Sequence, residues 1–189
     1  MKERPIIFQP ESVRAILGGR KTQTRRVVKY EVRGPHPPPV TWHFYKNGIF
    51  MGVYSSGMER SGALALCPFG KPGDRLWVRE PWGMGAHGPL YKEADSGDGT
   101  VFMAWKSPIF MPRRFSRVVL EIAAVRVERI QDLSKKDAVA EGVARHIVRP
   151  GKRSSFQDAF AVHWNSINGK KHPWSSNPWV WVTEFTVAL

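Results

Sequence analysis

Apolar residues recur with helical spacing in three stretches of the chain, and each stretch has signals for its beginning and end. Helices are predicted over residues 10–17, 134–142 and about 155–168. Ser134 and Asp137 have the spacing of a capping box, and a glycine ends or follows each stretch, at positions 18, 142 and 169. We therefore expect three short helices with defined ends.

Elsewhere apolar and polar residues alternate, which predicts β-strands. Strands are predicted over residues 41–45, 49–54, 76–79, 101–106, 116–130 and 179–187. The sequence Asn47–Gly48 between the first two strands is a strong hairpin signal. Within residues 116–130 the apolar positions change parity between Ile122 and Val125, so we expect a bulge or bend near residues 123–124.

The order of these elements predicts the fold class. The strands do not alternate regularly with helices, which disfavours a doubly wound parallel sheet. We expect an α+β fold with a small β-barrel, short flanking helices and inserted loops. Two stretches rich in turn residues, around 34–62 and 83–100, interrupt the strands and are expected to form a rim around a site. A chain of 189 residues fits one domain with insertions.

The chain is strongly basic, with 29 Lys and Arg against 16 Asp and Glu and a net charge of +13. Residues 1–30 alone contain eight basic and two acidic residues. Such a charge favours polyanionic partners such as RNA or DNA. A basic protein without such a partner has the same composition, so the charge alone leaves the partner open.

Several classes of protein are disfavoured by missing residues and motifs. Cys67 is the only cysteine, so the chain can form neither an internal disulfide nor a cysteine zinc cluster. The six histidines lack metal-binding spacing, and the sequence contains no GxGxxG, phosphate-loop or GxSxG motif. We expect no metal or cofactor. Without a signal-peptide h-region or a long apolar run, the protein is expected to be cytoplasmic and free of the membrane.

The stretch GGRKTQTRR, residues 18–26, sets four basic residues around two threonines. From spacing alone, phosphate binding by this stretch is the favoured function. The alternative is catalytic, because a desolvated lysine beside other cations can lose its proton and act as a base for a threonine hydroxyl. In a regular strand Lys21 and Thr24 would face opposite sides, so the catalytic function requires a turn or bulge here.

A series of ordered motifs resembles the ASCH family, which consists of PUA-like β-barrel domains associated with RNA. The motifs are GRKTQTRR after a short helix, then GKPGDRLWVRE, SRVVLEIAAVRVERI, SKKDAVAEGV and PWVWVTEFTV. The resemblance spans residues 1–189 in blocks and leaves about 31–65 and 83–112 as additions to the smaller members. With its tryptophans and insertions, the chain is most similar to the longer members encoded by phages and prophages.

The resemblance implies an activity on RNA or a modified nucleoside. Small bacterial members are amidohydrolases that remove acetate from N4-acetylcytidine by means of a lysine, a threonine and a glutamate. Carried onto this sequence, Lys21 is the base, Thr24 the nucleophile, and Glu141 relays or positions a proton. Substrate or RNA binding is assigned to Arg20, Thr22, Arg25, Arg26, Arg79 and Trp82.

Two alternatives remain open, because other members of that family are RNA-binding regulators or ribonucleases. A non-catalytic RNA-binding module would use the arginines for phosphate contacts. A ribonuclease would use Lys21 as acid or base and an arginine to stabilise the phosphorane. Glu141 also fits an ordinary exposed carboxylate, or a salt bridge to the arginines.

Overall fold

The computed structural model describes residues 1–29, 41–46, 49–53, 64–94, 104–143 and 155–188. In these ranges the chain forms ten strands and three α-helices. The strands are β1 (Glu3–Ile7), β2 (Gln23–Val27), β3 (Thr41–Lys46), β4 (Ile49–Val53), β5 (Leu64–Leu66), β6 (Arg75–Arg79), β7 (Trp82–Gly85), β8 (Gly88–Tyr91), β9 (Val119–Arg129) and β10 (Trp179–Val187). The helices are α1 (Pro10–Leu17), α2 (Lys135–Ala140) and α3 (Phe156–Asn168), and short 3-10 turns lie at Lys92–Ala94, Pro108–Phe110, Arg113–Phe115, Ile130–Asp132 and Trp174–Ser176.

A five-stranded sheet in the order β1-β6-β9-β10-β2 forms the centre of the fold. Strands β1 and β6 are parallel, and the other neighbours are antiparallel. Two smaller sheets, β3-β4-β5 and β7-β8, account for the other strands in the described ranges. This mixture of mostly sheet with a few short helices confirms the predicted α+β class.

The predicted barrel is not closed by the described strands, because β1 and β2 form no ladder and remain the edges of the sheet. Pro5 lies in β1 and has no backbone N–H, which is tolerated on an edge strand and leaves that edge one donor short. A side chain joins the two edges instead: Arg26 Nη2 donates a 2.7 Å hydrogen bond to the Ile7 carbonyl oxygen.

The structure confirms the predicted pairing of β3 with β4 and the predicted bulge in β9. Strands β3 and β4 pair antiparallel with Phe44 opposite Phe50, and the hairpin residues 47–48 lie outside the described residues. In β9, Ala124 lies opposite Glu184 and Ile122 opposite Phe185, which leaves residue 123 as the extra residue of a bulge. Of the strand predicted over 101–106, residues 101–103 lie outside the described ranges, and Lys106 forms an isolated bridge with Trp82.

The three helices begin and end close to the predicted positions. Helix α1 has proline in its first turn and ends before Gly18. Helix α2 begins with the predicted capping box, in which the Ser134 hydroxyl accepts from the Asp137 backbone N–H. A second capping box, formed by Ser155 and Asp158, begins α3. None of the helices in the described part of the chain is long and apolar enough to cross a membrane.

Strand β10 separates two packed layers and thereby positions the site. Its Trp179 and Trp181 pack with Val28 and Cys67 on one face of the sheet. Its Val180 and Val182 pack on the other face with side chains of α2 and α3, namely Ala138, Ala159, Phe160 and Trp164. Strand β2 pairs with β10, so the residues of β2 that point to this second face lie beneath α2 and α3.

Candidate active site

The turn required by the catalytic function lies between α1 and β2. Gly19 has φ +68°, a left-handed conformation that glycine adopts without strain. The backbone N–H groups of Arg20 and Lys21 both donate to the Ala15 carbonyl oxygen, at 2.8 and 3.0 Å. Lys21 then forms an isolated bridge with Glu141, before β2 begins at Gln23. The chain therefore turns Lys21 inward before the regular strand starts.

Lys21 and Glu141 form a buried ion pair. Lys21 Nζ donates to Glu141 Oε2 at 2.6 Å and to the Glu141 carbonyl oxygen at 3.0 Å. Their side chains are only 3% and 5% exposed. Burial lowers the pKa of Lys21, Glu141 opposes that shift, and the charges of Arg26 and Arg25 lower the pKa further. Lys21 therefore loses its proton at a lower pH than a lysine in water does.

Arg25 holds the second oxygen of the Glu141 carboxylate. Its Nη1 donates to Glu141 Oε1 at 3.1 Å, and its Nη2 donates to Glu128 Oε1 at 2.5 Å. The Arg25 side chain is fully buried, lies 3.7 Å from an oxygen of Asp137, and has its guanidinium carbon 5.9 Å from the centroid of the Phe160 ring. The Glu141 carboxylate is therefore held between two cations.

A network of ion pairs between acidic and basic side chains continues from Arg25 across the sheet. Arg126 donates to Glu128 Oε2 and to Asp137 Oδ1, both at 2.9 Å, and also to Glu184. Burial acts to raise the pKa of Asp137, but hydrogen bonds from Ser134 and Gln23 and the charge of Arg25 lower it to about 2. Asp137 therefore stays charged at neutral pH.

Thr24 lies on β2 beside a cavity of about 260 Å³. It is 1% exposed and lies opposite Thr183 of β10. Within the described residues, its hydroxyl makes no hydrogen bond. The polar lining of this cavity includes Lys21, Thr24, Arg25, Arg26, Glu141 and His163. The structure thus brings Lys21, Thr24 and Glu141 to one cavity.

A second cavity of about 580 Å³ adjoins the first and shares Glu141 and His163 with it. It reaches the first turn of α1 at Glu11 and Ser12. His163 comes from α3, and burial lowers the pKa of its imidazole, with a smaller effect in the same direction from Lys21. A neutral imidazole that can both donate and accept a hydrogen bond therefore lies between the two cavities.

Gly142 allows the end of α2 to approach Lys21. It has φ +81°, and a Cβ atom at this position would lie 3.0 Å from Ala15 Cβ and 3.1 Å from Lys21 Cβ. Only glycine fits both this conformation and this spacing without a shift of its neighbours. The residue after Glu141 is thus part of how the site is assembled.

The predicted binding residues of the basic stretch occupy three different environments. Arg20 and Thr22 are exposed. Arg25 is bound to carboxylates, as described above. Arg26 lies over the Phe8 ring and donates to the carbonyl oxygens of Arg25 and Ile7. The arginines therefore do not form a continuous strip facing solvent.

Arg79 and Trp82 do not belong to the lining of either cavity. The Arg79 guanidinium lies 4.5 Å from the centroid of the Trp77 ring, and its Nη1 donates to the Ile109 carbonyl oxygen. Trp82 is 5% exposed and packs against Phe115. Their assignment to substrate binding gains no support from this geometry.

Two parts of the site were not among the candidates from the sequence. One is the network of Arg126, Glu128, Asp137 and Glu184. Arg126, Glu128 and Glu184 share the sheet face of the buried valines of β10, so charged residues at core-facing strand positions were the available signal. The other is His163, for which the spacing of the six histidines gave no signal. In the described ranges, no group of three or more His, Cys, Asp or Glu side chains is placed to hold a metal ion.

Comparison with solved structures finds a likeness in the course of the chain. The chain is similar to an ASCH domain from Lactobacillus crispatus JV V101. The TM-score is 0.45 at 13% sequence identity, and the match covers 98% of this chain and 79% of that one. No family model matches the chain. No curated protein matches it.

Proposed function

We propose that this protein is an amidohydrolase that removes the acetyl group from N4-acetylcytidine or a closely related acylated nucleoside. A single observation carries the proposal. Lys21 is buried against Glu141 with a lowered pKa, and Thr24, with a hydroxyl that makes no hydrogen bond among the described residues, lines the same cavity. A base, a nucleophile and a carboxylate in one cavity are the groups that amide hydrolysis through an acyl-enzyme requires.

The reaction balances in two steps. Lys21 of the ion pair first releases a proton to solvent; the neutral amine then takes the proton of the Thr24 hydroxyl, and Oγ1 bonds to the acetyl carbon. The bond from that carbon to N4 breaks, N4 receives the proton, and cytidine leaves. Water then attacks the acetyl-Thr24 ester, giving acetate and the free threonine. Glu141, 2.6 Å from Nζ, stabilises the ammonium group that Lys21 becomes in each step.

The volumes of the two cavities are compatible with a small-molecule substrate. Small-molecule sites usually enclose about 300–1,000 Å³, and the two adjoining cavities enclose about 260 and 580 Å³. The smaller one contains Lys21 and Thr24 and would accept the acylated base. The larger one, with Glu11, would accept the sugar.

The activity is tested by incubating the purified protein with N4-acetylcytidine and measuring cytidine and acetate by chromatography. We expect both products in equal amounts, and no product from Lys21→Met or Glu141→Gln protein of confirmed fold. Intact N4-acetylcytidine after long incubation at high wild-type concentration rules the proposal out.

RNA binding without catalysis is the second candidate, and the net charge of +13 favours it. The exposed Arg20 is available for a phosphate contact, whereas Arg25 and Arg26 are engaged within the protein. This candidate predicts steeply salt-dependent binding of single-stranded RNA that weakens in Arg20→Ala. The ribonuclease alternative needs an arginine beside Lys21 for the phosphorane, and the engagement of Arg25 and Arg26 disfavours it.

A further inference from the structure

Arg25 is buried and contacts Glu141, one of the residues of the proposed site. The sequence assigned this arginine to phosphate or substrate binding. In the structure its guanidinium is 0% exposed, and its nitrogens donate to Glu141 and to Glu128. Both partners are carboxylates, so an anionic substrate group would have to displace a buried ion pair to reach Arg25.

The two oxygens of Glu141 have different partners. Oε2 accepts from Lys21 and Oε1 accepts from Arg25. A carboxylate with one partner can rotate about its last bond, whereas one held at both oxygens keeps a single orientation. Arg25 is itself held, because its Nε and Nη2 both donate to Glu128.

We propose that Arg25 is a positioning residue, which holds the Glu141 carboxylate against Lys21 and does not bind substrate. This inference rests on the proposed function, in which Lys21 is the base. In this role Arg25 fixes the orientation of the Glu141 carboxylate and influences the charge of Lys21.

The charge on Lys21 responds to every group that faces it. These groups are Glu141 at the end of α2, Arg25 and Arg26 on β2, and His163 on α3. Loss of Arg25 removes a positive charge near Nζ and leaves Lys21 as the remaining cation bound to the Glu141 carboxylate. Both changes stabilise the ammonium form, so the pKa of Lys21 rises.

The test compares the wild-type protein with Arg25→Gln, Arg25→Lys and Arg126→Gln. Arg126→Gln is the matched control, because Arg126 binds the same Glu128 and makes no contact with Glu141. The Lys21 titration is followed by NMR of protein with isotopically labelled lysine, and its signal is assigned with Lys21→Met. The pH dependence of kcat and KM is measured with N4-acetylcytidine, and circular dichroism checks each fold.

For Arg25→Gln we expect the Lys21 titration midpoint and the acidic limb of kcat/KM, where Lys21 loses its proton, to move to higher pH. We also expect kcat to fall about tenfold or more at neutral pH, with KM changed less than about threefold. Arg25→Lys keeps the charge but loses the planar fork, so kcat falls while the midpoint moves less. Arg126→Gln leaves the midpoint in place.

The proposal is overturned by a Lys21 midpoint that stays or falls in Arg25→Gln, or by a raised KM with unchanged kcat. If Arg25→Gln does not fold, Arg25→Lys decides: a kcat within about twofold of wild type overturns the proposal. The NMR measurement needs no turnover. A midpoint that rises in a protein without hydrolysis would therefore contradict the proposed function while supporting the link between Arg25 and Lys21.

Discussion

Lys21 Nζ donates a 2.6 Å hydrogen bond to Glu141 Oε2, although 120 residues separate the two in the sequence. The basic residues of the stretch GGRKTQTRR therefore have different surroundings. Lys21 is bound to a carboxylate at the cavity, and Arg25 supports that carboxylate from below. Arg20 faces solvent. Thr24 lines the same cavity as Lys21.

The proposed nucleophile can be tested with a pair of threonines that face each other across β2 and β10. We expect Thr24→Val to lower kcat/KM by about 10³-fold or more, because Oγ1 is the atom that attacks. The free energy of unfolding should change by less than about 1 kcal/mol, because the lost hydroxyl makes no hydrogen bond within the described residues. Urea unfolding and steady-state kinetics measure the two quantities.

Thr183→Val is the control for that experiment. Thr183 is 0% exposed, and its Oγ1 has no hydrogen-bond partner in the described part of the chain. Its replacement should leave kcat/KM within about twofold and leave stability unchanged or slightly raised. Full turnover by Thr24→Val, or equal losses in both variants, would contradict the assignment of Thr24.

The approach of α2 to Lys21 can be tested at Gly142. An alanine at this position would have to adopt a left-handed backbone conformation and would crowd Ala15 and Lys21. We therefore expect Gly142→Ala to lower the free energy of unfolding by about 2–5 kcal/mol. Gly19→Ala is the control: Gly19 has φ +68° but no atom within 4 Å of the added Cβ, so the expected cost is about 1–2 kcal/mol. Equal costs in urea unfolding would show that the crowding at Gly142 is unimportant.

The titration of Asp137 should make the free energy of unfolding depend on pH in the acidic range. Its pKa is about 2 in the folded protein, below the value of about 3.9 in an unfolded chain. The stabilisation is therefore complete above about pH 4 and is lost as the pH falls through 2. After allowance for screening by water, we expect about 1–2 kcal/mol from this group, measured by urea unfolding between pH 5 and 2.

The comparison variant for Asp137→Asn is Asp158→Asn. Asp158 has the same place in the capping box of α3, and its pKa is lowered by hydrogen bonds from Ser155. Asp137 differs in its contacts with Arg25 and Arg126. Asp137→Asn should flatten the acid limb of the stability curve more than Asp158→Asn, and equal slopes would mean that the arginines contribute nothing.

His163 should report a substrate in the cavities. In Thr24→Val protein, which should bind without turnover, N4-acetylcytidine is expected to shift the imidazole NMR signal of His163 saturably. His87 lies in the turn between β7 and β8, outside both cavity linings, and its signal should stay in place. Without ligand, the His163 titration should fall below its usual range, because burial lowers its pKa.

Local signals in the sequence predicted the three helices and the strands β3, β4, β6, β9 and β10, whereas β1, β2, β5, β7 and β8 were not predicted. Pro10 and Gly18 bound α1, Ser134 and Asp137 begin α2, and the parity change in β9 is a bulge at residue 123. Each of these signals lies within a few residues of the feature that it predicts.

The role of Arg25 could not be predicted in the same way. Its partners Glu128 and Glu141 lie 103 and 116 residues away, so a run of adjacent cations looked like a surface for phosphate. The burial of Trp82 also depends on a distant residue, Phe115. Pairing of charges and packing between remote segments are properties of the folded chain, which short-range patterns do not record.

Helix α2 spans only six residues, and Asp137 belongs both to its capping box and to the ion network beneath the site. Local opening of this helix would withdraw Glu141 from Lys21 while the five-stranded sheet stays paired. Hydrogen exchange should therefore detect α2 opening at a lower free energy than β9 and β10. We then expect heat to abolish the proposed hydrolysis below the temperature at which the sheet melts, because the shortest α-helix of the described residues opens first.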